Sequence, residues 1–189
     1  MSKQHHPVWI GLGSISIFFH MWLIFSGLVP SLISRPIHMA LALPWVFLFC
    51  IRSKPQLCFG YILTLLGILS CLYIAINESL LSEQYGFING WDQFLISGIL
   101  ISVTLEMARR TVGWPLPVIT LLFLIYGLFG DNVPGEFGHA GIPINSFLGT
   151  LVITEGGLWG KLTGVSVSIV AVFVTLELFL MLVRQGKAS

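Results

Sequence analysis

Glu106, Arg109 and Arg110 form the tightest group of opposite charges in the chain, with Trp114 close behind. Spacings of three and four place the carboxylate beside both guanidinium groups on one helix face. Two cations in a last turn also complement the helix C-terminal dipole. The pattern suits an anchor that fixes helix depth; its functional version is a contact to a partner helix or to anionic headgroups. Glu177 is different, being the one acid well inside an apolar run. It stands about 9 Å in from the end of that run near Val183. An intramembrane carboxylate can relay a proton or cation. No basic residue or second carboxylate stands close to it on its own helix, so the neutral or cross-paired form is the expectation.

The imidazoles are scattered. His20 lies alone in an apolar run and reads as one half of an interhelical hydrogen bond. His5-His6 has no cysteine or carboxylate nearby to complete a metal site, and His139 sits in a polar loop with no nucleophile to serve. Gly160 and Gly164 have the four-residue spacing that lets helices approach closely, and Ser166 and Ser168 can bond across to a neighbour. A broken helix beside a substrate path is the functional version of that segment. Gly164-Val165-Ser166 has the outline of an intramembrane serine protease motif, but no histidine follows it. Nucleotide loops, zinc-protease motifs and paired cysteines are absent from the sequence. The expectation is therefore that the chain is not an enzyme and carries no cofactor or metal.

These residues sit in an unusual solvent. Of 189 residues 9% are charged and 56% hydrophobic, and the mean hydropathy is +0.93. A soluble domain carries roughly 25% charge, so the expected solvent is largely lipid. Net charge is +1, with no basic stripe to neutralise phosphates, which excludes nucleic acid as a main partner. Cys50, Cys58 and Cys71 read as buried small hydrophobes.

Apolar runs at about 7–29, 37–51, 57–76, 91–107, 114–129 and 165–183 predict an all-α integral membrane protein of about six transmembrane helices. The second run is short, and Arg35-Pro36 reads as its boundary, with Pro36 in the first turn. The linker around Glu78 and Glu83 reads as polar and acidic. Phe147, Leu148, Leu151, Val152, Leu158 and Trp159 recur at helical spacing, which predicts a short interfacial helix before the last span, with Trp159 at headgroup level. With the N-terminus inside, Lys3, Arg52, Lys54, Arg109, Arg110, Arg184 and Lys187 are cytoplasmic, and only Arg35 and Lys161 are outside. Glu78, Glu83, Asp92, Asp131, Glu136 and Glu155 then fall outside. Both termini are therefore expected inside.

Several segments in order resemble a known family. Phe19-His20, Leu28-Val29-Pro30 and Arg35-Pro36-Ile37-His38-Met39-Ala40-Leu41-Ala42 resemble the opening helices of the fused membrane component of TRAP (tripartite ATP-independent periplasmic) transporters, of the TAXI type. The strongest likeness is Leu105-Glu106-Met107-Ala108-Arg109-Arg110-Thr111-Val112-Gly113-Trp114-Pro115-Leu116-Pro117. Tyr126-Gly127-Leu128-Phe129-Gly130, Pro134-Gly135, Thr154-Glu155-Gly156-Gly157-Leu158-Trp159-Gly160 and Gly164-Val165-Ser166 continue it. The resemblance spans residues 18 to 174. It implies a scaffold in the bacterial inner membrane, held beside a large permease subunit that carries the sodium and solute sites. A periplasmic solute-binding protein would deliver an organic anion or similar solute, and the loop holding Asp131 and Glu136 would lie near its docking surface. The family's fused chain runs on for several hundred residues, and Leu176-Glu177-Leu178 departs from its pattern. The chain therefore divides into a small-permease-like scaffold at 1–160 and a last helix at 161–189, resembling the start of the large permease domain. It reads as a separate small subunit, a split product or a truncated piece. The rival from another class is a stand-alone membrane enzyme or proton-linked carrier using Glu177 and His20.

Overall fold

The computed structural model describes residues 7–49, 54–170 and 173. Among them every regular element is helical: α1 (Pro7–Ser26), α2 (Ser31–Pro44), α3 (Lys54–Ile76), α4 (Glu78–Glu83), α5 (Trp91–Thr111), α6 (Pro115–Phe129), α7 (Ile144–Val152) and α8 (Lys161–Val165). Two π-helical turns, Trp45–Phe49 and Ser166–Val170, extend α2 and α8. Four stretches are long and apolar enough to cross a membrane: Pro7–Ser26, Ser31–Phe49, Gln56–Ile76 and Pro115–Asn132. Helix α5 is as long but carries Asp92, Glu106, Arg109 and Arg110. The expected sixth span lies, beyond Val170, largely outside the described residues. So do Glu177, His5-His6 and Cys50.

The second helix differs from its expectation. It starts at Ser31, not after Arg35-Pro36, and Pro36 lies inside it. Tertiary packing overrides the proline here: Leu32, Ser34 and Pro36 are all buried. Its start is tied by the Ile33 and Ser34 amides, which both donate to the Pro30 carbonyl at 3.0 Å. Pro44 marks the switch to the π turn. It has no N–H to continue the ladder, so the hydrogen-bond pattern changes at that point.

Helices α2, α3 and α5 cross around a common centre, where Leu43, Phe47, Cys71, Ile74, Leu100 and Val103 are almost wholly buried. Gly67 of α3 makes this crossing close: a Cβ there would run into Leu43 and come within 3.2 Å of Val103. The outer pair is different. Only 6% of the α1 stretch and 11% of the α6 stretch is buried within the chain, against 44% for Ser31–Phe49. Trp9 holds the start of α1 to the end of α2, with its ring 5.2 Å from that of Trp45 and 5.0 Å from that of Phe49.

Three smaller expectations need correction. The link after α3 contains a short helix, α4, because Leu81 finds a fully buried seat. Cys71 is buried but Cys58 is exposed, since it lies on the outward face of α3. The third concerns Trp159, which neither belongs to the short helix nor presents its ring to a headgroup region. Helix α7 ends at Val152, and Leu158 and Trp159 belong to the turns that follow it. Trp159 is wholly buried, and its indole N–H donates to the Val152 carbonyl at 2.5 Å. Trp159→Phe removes that donor and leaves a gap, so it should cost about 2 kcal/mol. In detergent the thermal unfolding midpoint should drop by roughly 4–8 °C, whereas a headgroup-level ring would leave it unmoved.

Candidate functional site

At the end of α5, Glu106 holds both arginines. Arg109 donates to Glu106 through Nε at 2.6 Å and Nη2 at 2.7 Å, and Arg110 donates through Nε at 2.7 Å. Each guanidinium then covers an aromatic ring: Arg109 lies 5.2 Å from the Trp114 centroid and Arg110 4.8 Å from that of Phe47. Helix α5 can stop so abruptly because Gly113 takes a φ of +102°. Its amide donates back to the Arg109 carbonyl at 3.1 Å, the pattern of a glycine C-cap. Pro115 then opens α6 at a first-turn position, where its missing N–H is no loss. The corner is thus a closed knot of charge and aromatic surface.

Asp131 and Glu136 lie in short 3₁₀ turns after α6 and are exposed. Asp131 accepts from the Asn132 side chain at 2.8 Å. Above them His139 fills the space a side chain at Gly130 would need, and the Tyr126 hydroxyl donates to the Phe137 carbonyl at 2.5 Å. Gly160 and Gly164 do not form a seam on one helix. Gly160 caps α8 in an extended conformation, while Gly164 lies within it. Gly164 instead admits the Arg35 guanidinium, whose atoms would lie 3.1–3.2 Å from a Cβ at that position. Arg35 also donates to the Trp159 carbonyl and stands 3.6 Å from Glu155.

One turn further along α2, the structure assembles a set that the order of residues in the chain had hidden. His20 of α1, His38 of α2 and Ser166, at the start of the last π turn, are hydrogen-bonded in series. The His20 Nδ1 lies 2.6 Å from the Ser16 carbonyl oxygen, and its Nε2 lies 2.7 Å from His38 Nδ1. The His38 Nε2 lies 3.1 Å from Ser166 Oγ. A carbonyl can only accept, so His20 Nδ1 carries its hydrogen. With both rings neutral, the rest follows in one sense only. His20 Nε2 accepts from His38 Nδ1–H, and His38 Nε2 accepts from the Ser166 hydroxyl. No histidine follows Gly164-Val165-Ser166 in the sequence; the one that bonds Ser166 precedes it by 128 residues. Triads are recognised by geometry and not by chain order.

The three groups lie at similar depth: six residues before the end of α1 at Ser26, seven after Ser31 and five after Lys161. Each is about 8–10 Å in from its helix end. Apolar runs starting at 37 and 165 put His38 and Ser166 at the very ends of their helices, so the match shows only once the starts at Ser31 and Lys161 are known. No protein-family model, curated protein or solved structure matches the chain.

Proposed function

We propose that this chain is the membrane scaffold subunit of a sodium-coupled, binding-protein-dependent transporter of the TRAP type, importing organic anions or similar solutes across a bacterial inner membrane. In this reading it has six spans with both termini inside, and α7 lies toward the outer interface. Sodium and solute are handled by a large permease partner, and a periplasmic binding protein delivers the solute.

One observation carries the reading most: the segments that bear the resemblance are the chain's structural corners. Residues 105–117 build the α5–α6 corner with its Glu106 knot, and residues 154–160 form the turns that hold Arg35 through Glu155 and Trp159. A scaffold needs motifs of this kind, which hold helices and leave the chemistry to a partner. The contacts also support the proposed sidedness. Outer-side Arg35 meets outer-side Glu155, the Tyr73 hydroxyl donates to outer-side Asp92 at 2.6 Å, and inner-side Arg110 covers Phe47 at the opposite end of α2. The weakly covered α1 and α6 supply apolar faces for lipid and for partner helices.

The test is to purify the tagged chain in mild detergent together with the products of its neighbouring reading frames. A large multi-span hydrophobic protein should travel with it at fixed stoichiometry. The three components together should drive sodium-gradient-dependent uptake of the binding protein's own co-purified solute into proteoliposomes. Loss of uptake when this chain alone is omitted is the expected result. Uptake by the remaining two components at an unchanged rate would falsify the scaffold role.

A further inference from the structure

The serial arrangement of Ser166, His38 and His20 is that of an activated nucleophile, its base and the group that orients the base. From it we infer that Ser166 is an acyl-accepting nucleophile, that His38 is its general base, and that the substrate is a carboxylic ester residing in the bilayer. The inference does not depend on the transport reading; a scaffold subunit could carry such a site as a second activity.

Three observations carry it. The first is the direction of the hydrogen bonds, which leaves Ser166 as donor to His38 Nε2 and His38 Nδ1–H as donor to His20. A serine hydroxyl is a weak nucleophile until a base accepts its proton, and a base works only when its tautomer is held. His20 holds it, and its own position is held by the Ser16 carbonyl and by burial. The second is a nearby cation. Arg35, three residues before His38 on the same helix, packs its guanidinium against Gly164, two residues before Ser166. Its charge is shared with Glu155 at 3.6 Å and the Trp159 carbonyl, and what remains of it on the Gly164 side favours the oxyanion of an acyl-transfer step. The third is access. Ser166 is partly exposed, and the side chains around it on the same element, Leu162, Val165 and Ile169, are 88%, 45% and 51% exposed. Much of the exposed surface beside Ser166 is thus apolar, with Lys161 and Ser168 as the exposed polar groups, which suits a lipid-borne ester better than a water-borne one.

The chemistry balances without any further agent than water. Ser166 Oγ bonds to the ester carbonyl carbon as its proton passes to His38 Nε2. The ester C–O bond then breaks, and the departing alkoxide takes that proton and leaves as the alcohol. Water attacks the acyl-serine, giving its proton to His38 Nε2. Ser166 Oγ leaves the carbonyl carbon, recovers the proton, and a carboxylic acid is released. Through both steps the charged His38 ring keeps its Nδ1–H bond to His20.

The experiment uses the full chain in lipid nanodiscs and a long-chain alkyl fluorophosphonate, with intact mass as readout. Oγ attack on phosphorus expels fluoride, and the phosphonyl adduct should map to Ser166 alone. Ser166→Ala should abolish labelling. His38→Gln should slow it about 100-fold or more. His20→Gln keeps an acceptor for His38 but loses the imidazole, so it should slow labelling less and displace its pH profile. His38 faces His20 and Ser166 from the two packed elements and shares its own helix with Arg35, so these are the groups that shape that profile. Ser168→Ala, whose hydroxyl bonds its own helix at the Gly164 carbonyl, should label like the parent. That variant, with each protein's elution profile, separates loss of chemistry from loss of fold. A parent chain labelled no faster than Ser166→Ala overturns the inference, as does an adduct on any other residue. A His20→Gln profile identical to the parent's removes His20 from the set.

Discussion

Glu106→Gln is expected to destabilise the chain by about 3 kcal/mol, although it changes no more than one atom type. The carboxylate accepts three hydrogen bonds from two guanidinium groups, at 2.6–2.7 Å. An amide has one oxygen and one NH2 group, so a donor would face a donor. The charge lost matters more. The Arg110 side chain is only 14% exposed, and its Nη1 is buried with no hydrogen-bond partner among the described residues. Without Glu106 this cation would be left at a buried site with no opposite charge, which typically costs 3–5 kcal/mol. The midpoint of thermal unfolding in detergent should drop by roughly 6–12 °C. Replacing Glu106 and Arg110 together by leucine should recover most of the loss, because a fully apolar pair against Phe47 leaves no buried charge. An unchanged midpoint in Glu106→Gln would show that lipid or water serves the two arginines as well as the carboxylate does.

Gly149→Ala should have an effect of similar size for a different reason. Gly149 of α7 lies directly on the backbone at Gly86. A Cβ would overlap the Gly86 carbonyl oxygen and come within 2.6 Å of its carbon and 3.2 Å of the Phe87 nitrogen. All three are backbone atoms, so no side chain can swing aside. The Gly86 segment is itself held in a left-handed turn, with φ of 50° at Tyr85 and 81° at Gly86. Helix α7 would have to lift away, and the bond from the Ile88 amide to the Asn145 carbonyl at 3.2 Å would break with it. Overpacking of this kind costs about 1–3 kcal/mol, and the lost contact adds to it. Gly98→Ala on α5 is the comparison. It meets nothing within 4 Å, so it should be neutral or mildly stabilising through helix propensity. If the two variants melt together, α7 does not pack on the 85–88 turn in solution.

Much of the helical outline could be read from apolar run length alone, because a lipid solvent demands a continuous run and tolerates few interruptions. α1, α3 and α6 follow it to within a few residues. The misreading at α2 has one cause. Arg35 next to Pro36 looks like a boundary when only neighbours in sequence are considered. Its actual partners, Glu155 and the Trp159 carbonyl, lie more than a hundred residues away. Trp159 misleads in the same way, since a tryptophan at helical spacing beside Lys161 has the composition of an interfacial belt. The indole bond to Val152, which takes it inside, is set by the turns in between. In the Glu106 group, spacing sufficed because both partners lie on one helix. In the His20–His38–Ser166 set it could not, because each member belongs to a different helix and only depth connects them.

The tie between Arg35 and Trp159 also bears on how the chain is made. Arg35 emerges from the ribosome 124 residues ahead of the carbonyl that accepts its hydrogen bond. At the usual pace of synthesis that is a wait of roughly 6 to 25 s. For that interval α2 holds a cation whose permanent partners do not yet exist, and an imidazole that has His20 beside it but lacks Ser166. It must therefore be kept at the membrane by α1 and α3, or by the insertion machinery, until the segment from Glu155 to Ser166 arrives to close the circle.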